Sequence, residues 1–146
     1  MTHKAPGTLR DLLLSPEKAA TMAAGGRTEA AVLLPIHGWP DDPGLIFTER
    51  RADLRRHAGE ISFPGGRRDD SDADLVATAL REAEEEIALS PAAVEVCGAL
   101  PPAATFVTGY RIHPFVGLIP DPADLDLQPN PTEVETVLAF TLDGLR

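Results

Sequence analysis

Cysteine is nearly absent from this chain, and so is any long apolar run. Cys97 is the only cysteine among 146 residues, so no disulfide can form within the chain. It sits in the apolar run Val94–Leu100 and reads as an inert core residue, with a reducing cytoplasm as the expected home. No apolar stretch approaches the roughly 20 residues that a membrane-crossing helix needs. Met1–Gly7 leads into no signal-peptide hydrophobic region, so no secretory leader is expected. Basic charge is also scarce. Thirteen Lys and Arg against 23 Asp and Glu leave a formal net charge of −10, which argues against nonspecific binding to nucleic acid or to anionic membrane. No repeat or low-complexity tract is present.

What remains is the composition of one ordinary soluble domain, 43% hydrophobic and 25% charged, long enough for a sizeable core. Leu9–Ala24 is helix-prone, with Ser15-Pro16-Glu17 as a helix start, and Gly25-Gly26 breaks it. Residues 1–27 are therefore read as an N-terminal helix or arm outside the main domain. Strands are predicted at 30–36, 45–50, 60–63, 94–100, 105–107, 112–118 and 134–140. Asp70-Ser71-Asp72 supplies capping side chains for a helix that runs to about Leu89 and stops at Ser90-Pro91. The stretch Pro120–Pro131, with its prolines and aspartates, is predicted to be a loop over one end of the sheet. Strands around one well-marked helix predict an α+β sandwich.

The marked helix carries the chemistry. A turn at Gly65-Gly66 leads towards Arg81-Glu82-Ala83-Glu84-Glu85-Glu86-Ile87-Ala88-Leu89, with four glutamates in five positions. At about 100° per residue, Glu85 lies about 60° to one side of Glu82 and Glu86 about 40° to the other. Three carboxylates thus share one narrow face, while Glu84 points to solvent. Leu75, Val76, Ala79, Leu80, Ala83 and Ile87 form the apolar stripe that anchors the helix. Crowded carboxylates repel one another, and a divalent cation is the ordinary way to keep them ionised together. Arg81 precedes Glu85 by four residues, so the two can pair, in the order less favourable to the helix dipole; the pair is read as orienting Glu85. Taken alone, a glutamate-rich helix is most often just a solvated face.

The spacing changes that balance. From Gly66 to Leu89 the chain resembles the Nudix box: Gly, five residues, Glu, seven residues, Arg-Glu-apolar-x-Glu-Glu-x-Gly-apolar. Three positions depart from it. Asp72 stands for the first Glu, eight residues rather than seven separate it from Arg81, and Ala88 replaces the penultimate Gly, a residue favoured at a helix exit for its left-handed conformation. Just upstream, Leu45–Gly66, with Leu54-Arg55-Arg56-His57-Ala58-Gly59 and Phe63-Pro64-Gly65-Gly66, is similar to the extra signature of coenzyme A-directed Nudix pyrophosphatases. Leu100-Pro101-Pro102, Val107-Thr108-Gly109-Tyr110 and Pro114-Phe115-Val116-Gly117 are similar to the same subfamily. The resemblance covers residues 28 to 142 and makes residues 28–146 a Nudix hydrolase domain.

The resemblance implies a Nudix-type α/β/α sandwich, a mixed sheet between helices with the catalytic loop–helix motif on one side. It implies a further helix after the last strand. The chain stops at Thr141–Arg146, where that helix would start, and a truncated chain, a minimal one and one completed by a partner in a homodimer are all open. The implied reaction is hydrolysis of coenzyme A or its derivatives to 3′,5′-ADP and 4′-phosphopantetheine, with Mg²⁺ or Mn²⁺ held by Glu82, Glu85, Glu86 and the Gly66 carbonyl. Glu133 is a candidate further ligand or general base, with Glu135 as its rival; Glu85 is the other candidate base. Six of the thirteen Lys and Arg residues (Arg50, Arg51, Arg55, Arg56, Arg67 and Arg68) lie between positions 50 and 68 and offer a basic mouth for an anionic substrate. Arg50, Arg51, Arg55 or Arg56 suits the 3′-phosphate, and His57 is a candidate substrate contact. Tyr110 and Phe106 are candidates to stack on adenine, although aromatics near strand ends are more often core. The same chemistry on ADP-ribose, NADH or a damaged nucleoside triphosphate is the rival reading. A catalytically silent nucleotide-binding module and a structural acidic protein complete the alternatives.

Overall fold

The computed structural model describes residues 9–53, 59–105 and 109–145. The strands are β1 (Thr28–His37), β2 (Gly44–Arg50), β3 (Ile61–Ser62), β4 (Gly65–Arg67), β5 (Glu95–Ala99), β6 (Ala103–Ala104), β7 (Tyr110–Ile119) and β8 (Val134–Thr141). Helices α1 (Pro16–Ala20) and α2 (Leu75–Ile87) accompany them. The strands form one mixed sheet with the backbone order β3-β2-β1-β7-β5; β4 pairs with β1, β6 with β7 and β8 with β2. The long central pair is parallel, β1 against β7 from Thr28↔Tyr110 to His37↔Ile119, and the other pairs are antiparallel. The fold is α+β.

Strand periodicity explains where the core lies. Alternate residues of β1 point to one face. Ala31 and Leu33 are wholly buried there, with Ile46 of β2, Phe115 of β7 and Ala79, Ala83 and Ile87 of α2. Small side chains at Ala31, Ala79 and Ala83 let the helix lie close to the sheet, which fixes the height of its polar side above β4. The opposite face carries Val32, Leu34, Leu45, Phe47, Leu138 and Phe140, half-buried or exposed. There Phe47 stacks on Phe63 at 4.6 Å and tilts against Phe140 at 6.0 Å. Among the described residues, no helix is long and apolar enough to cross a membrane.

Three elements differ from expectation. The helix-prone 9–24 segment is broken, because Leu14 leaves it to bond with Ala99 of β5 through both backbone groups (3.0 and 2.8 Å). Helix α1 then restarts at the expected Ser15-Pro16-Glu17, with Ser15 capping Lys18 N–H, and Ala19 joins the main core. Gly65-Gly66 is a strand rather than a turn, since β1 imposes its pairing on it, Ala31 against Gly66 and Val32 against Gly65. The cap of α2 is Asp74, whose carboxylate accepts the Ala77 N–H at 2.8 Å, and not the 70–72 cluster. The strand expected over 105–107 falls mostly outside the described residues; Ala103–Ala104 pairs just before it.

The exit of α2 follows the reading of the sequence. Ala88 closes the helix in the left-handed conformation, φ 59° and ψ 31°, with its N–H on the Glu84 carbonyl. A Cβ is disfavoured there by steric conflict with the following carbonyl. Ala88→Gly should therefore stabilise the protein by about 1 kcal/mol, read as a higher urea midpoint with an unchanged slope.

Candidate active site

The polar side of α2 faces β4. Glu86 is 8% exposed, and its carboxylate accepts the Gly65 N–H at 3.1 Å. Glu82 lies half-buried over Gly66, so close that a Cβ on Gly66 would strike its carboxylate. Glycine leaves the Glu82 side chain room at this point, where a larger residue would make that carboxylate shift. Burial, then the nearby Glu82 charge, pushes the Glu86 carboxyl up to about 8, against the opposing Gly65 hydrogen bond. Burial also raises Glu82, with Arg81 opposing and Glu85 and Glu133 adding to the rise. These are carboxylates crowded out of water, with oxygen atoms alone on offer, and that suits a hard divalent cation.

Arg81 organises the other edge. Its Nε and Nη2 grip the two oxygens of Asp72 at 2.9 and 3.0 Å. Nη1 reaches the Glu85 carboxylate at 3.2 and 3.3 Å and Glu82 at 3.4 Å, and Nη2 also donates to the Arg67 carbonyl at 3.2 Å. Arg81 thus orients Glu85, as expected, but its main anchor is Asp72. Asp72 is buried and further bonded by Thr78 Oγ1 (2.8 Å) and Asp69 N–H (2.9 Å). These donors, Arg81 first, hold its carboxyl far below the usual carboxylate range. The sequence offered Asp72 as a capping side chain and a departure from the motif; the structure ties it to the acidic face through Arg81. Its position where the family expects Glu was the available signal.

Among the described residues, no three His, Cys, Asp or Glu side chains are drawn together tightly enough to enclose an ion. Glu82 and Glu86 are the close pair, and Glu85, half-exposed, is turned to Arg81. Glu133 arrives from the loop before β8, exposed but near enough for its charge to act on both Glu82 and Glu86. That loop caps the end of α2, with Gln128 N–H on the Ile87 carbonyl (3.0 Å) and Asn130 N–H on the Glu86 carbonyl (2.8 Å). Glu135, the rival, is also exposed, and its charge acts on Arg51.

The basic candidates divide. Arg50 ends β2. Arg51 has protein partners, with Nε on Asp53 at 2.9 Å, Nη2 on the second Asp53 oxygen and Nη1 on the Pro131 carbonyl at 2.7 Å. Arg55, Arg56, His57 and Phe106 lie outside the described residues. Arg67 and Arg68 follow the Gly-Gly strand with exposed side chains, and Arg68 donates to the Asp72 carbonyl at 3.2 Å.

A glycine-rich strand set against a carboxylate-bearing helix on an open mixed sheet defines a class of acidic loop–helix proteins. The chain belongs to one family of them, the Nudix hydrolase family, whose NUDIX domain matches residues 28–145. It is similar to the uncharacterized Nudix hydrolase NudL of Escherichia coli O1:K1, 52% identical over 114 residues, or 78% of this chain and 57% of the relative. NudL of Shigella boydii gives the same figures. The chain therefore spans little more than half the length of these curated relatives. Among solved structures it resembles a Nudix hydrolase of M. smegmatis, RenU (TM-score 0.65, 22% identity, 84% of this chain and 74% of that one). It also resembles the NUDIX domain of Shewanella oneidensis NrtR complexed with ADP ribose (TM-score 0.63, 18% identity, 99% and 86%). A C. elegans Ap4A hydrolase binary complex matches with a TM-score of 0.64 at 16% identity, over 80% and 82% of the two chains. At these identities the likeness to solved structures shows the fold.

Two outcomes follow from the electrostatics. Asp72→Asn leaves Arg81 without its buried counter-charge and should cost about 3 kcal/mol in urea denaturation. A carboxyl whose folded pKa is raised favours folding while protonated, and that contribution disappears as pH climbs through its folded value. For Glu86 the window runs from the ordinary carboxylate range up to about 8. In chelator, Glu86→Gln should thus melt higher than the wild type at pH 8, by on the order of 5 °C, with the gap closing near pH 4. Asp72 has the opposite sign, and its contribution is lost only on acidification.

Proposed function

We propose that the chain is a divalent-metal-dependent hydrolase that cleaves the pyrophosphate bond of coenzyme A or its derivatives, giving 3′,5′-ADP and 4′-phosphopantetheine. The observation that carries the chemistry is the crowded pair Glu82 and Glu86 over Gly66, flanked by an arginine-held Glu85. Glu82, Glu85, Glu86 and the Gly66 carbonyl would hold Mg²⁺ or Mn²⁺. Such an ion supplies charge neutralisation of the diphosphate and a more acidic water. Arg81 keeps Glu85 turned to the site, and Glu133 or Glu85 takes the proton of the attacking water.

The substrate assignment rests on the signature running into Phe63-Pro64-Gly65-Gly66 and on the arginines around it, Arg50 with Arg55 and Arg56, beside His57. It places the 3′-phosphate against guanidinium groups, which grip phosphate through paired hydrogen bonds. The relative at 52% identity is itself called uncharacterized, so the coenzyme A assignment does not come from it. We place the protein in the cytoplasm. The half-open sheet face at Phe47, Leu138 and Phe140 supports a homodimer, and a monomeric mass in light scattering would remove that part.

The test is chromatography of products after incubation with coenzyme A and Mg²⁺ or Mn²⁺, with ADP-ribose and NADH as rivals and Glu85→Gln beside the wild type. Metal-dependent release of 3′,5′-ADP, faster than cleavage of either rival and reduced at least about 100-fold in the variant, is expected. Cleavage of a rival alone rejects coenzyme A and keeps the chemistry. A folded protein that cleaves none of them contradicts the hydrolase reading.

A further inference from the structure

We propose that Asn130 and Arg51 are positioning residues that hold Glu133 beside the carboxylates of α2, a role that rests on the hydrolase reading above. Glu133 immediately precedes β8, two residues after Pro131, and its side chain is exposed. The β2–β8 register that would fix it begins one residue later, at Val134. Asn130 fixes it from one side. Its N–H donates to the carbonyl of Glu86 at 2.8 Å, so the loop is fastened to a residue whose own carboxylate is buried. Its own carbonyl accepts the N–H of Glu133 at 3.1 Å and of Val134 at 2.8 Å. Its side-chain oxygen accepts Thr132 N–H at 3.1 Å and Thr132 Oγ1 at 2.8 Å, closing the turn between them. An acceptor this close to the backbone exists only on a short side chain such as Asn or Asp.

Arg51 fixes the loop from the other side. Its N–H donates to the Glu133 carbonyl at 3.0 Å, and Nη1 donates to the Pro131 carbonyl at 2.7 Å. Asp53 locks the guanidinium in that direction through two contacts. Both backbone groups of Glu133 are thereby engaged, the N–H by Asn130 and the carbonyl by Arg51. The distance between Glu133 and Glu86 is then set by one residue bonded to both. In this geometry the Arg51 guanidinium braces the loop.

The test is a double-mutant cycle between Asn130 and Glu133, read on coenzyme A turnover and, separately, on Mn²⁺ binding by electron paramagnetic resonance. Asn130→Ala should lower kcat by roughly 10-fold with KM little changed, and should weaken Mn²⁺ binding in the same direction as Glu133→Gln. In the Glu133→Gln background the same substitution should add nothing, because its effect runs through Glu133. Asn130→Asp keeps the acceptor and should restore most of the loss, which separates positioning from misfolding. Arg51→Met should follow the pattern of Asn130→Ala. Equal losses in both backgrounds, or no loss in either readout, overturn the proposal. A wild type without turnover but with coupled Mn²⁺ effects would remove the hydrolase reading and keep the positioning role. Normal turnover without coupling would do the reverse.

Discussion

Everything around the site follows from pressing carboxylates together away from water. Glu82 and Glu86 are partly stripped of solvent and lie within reach of each other's charge, and both are held towards the protonated form as a result. A bare acidic helix would splay these side chains into water. Here the helix cannot turn, because Ala79, Ala83 and Ile87 are sunk into the core on its other side. The polar side is therefore fixed over β4, where the Gly65 N–H gives Glu86 one compensating bond and the absence of a side chain on Gly66 leaves room for Glu82.

Two fastenings keep this arrangement from relaxing. At the start of α2, the buried Asp72 anchors Arg81, and Arg81 holds Glu85, Glu82 and the backbone next to Gly66 in one network. Networks of this kind act as units, since the loss of one partner leaves a charge unsatisfied. At the end of α2, the loop before β8 takes up the last helix carbonyls and brings Glu133 to the same face. The sheet itself contributes rigidity through the ten-residue parallel pairing of β1 and β7. The acidic motif is thus braced at the head of the helix, at its tail and from beneath.

Legibility in the sequence followed the range of the interactions. Helical periodicity was enough to put Glu82, Glu85 and Glu86 on one side and Glu84 in solvent, and a four-residue spacing was enough for Arg81 and Glu85 at 3.2 Å. Local conformational preference gave the left-handed exit at Ala88, and alternation or β-branched content gave the long strands. Long-range geometry was not legible. Asp72 was read as a helix-capping residue, because nothing local shows that a guanidinium nine positions on will close over it. Gly65-Gly66 was read as a turn because glycine has little strand preference of its own; pairing with β1 overrides that. The break at Leu14 has the same origin in Ala99 of β5. Arg51 was one of four arginines offered for a phosphate; its partners in the structure, Asp53 and the Pro131 carbonyl, are a matter of how β2 lies beside the loop before β8, which no local pattern shows.

The measurement that bears most directly on the acidic helix as a cation site is Mn²⁺ titration of the wild type against the Glu82→Gln, Glu86→Gln double variant, followed by electron paramagnetic resonance with circular dichroism as a check of folding. The account predicts saturable binding by the wild type and at least about a 10-fold weaker affinity in the variant. A folded wild type that leaves Mn²⁺ free, or a variant that binds it equally well, would contradict it.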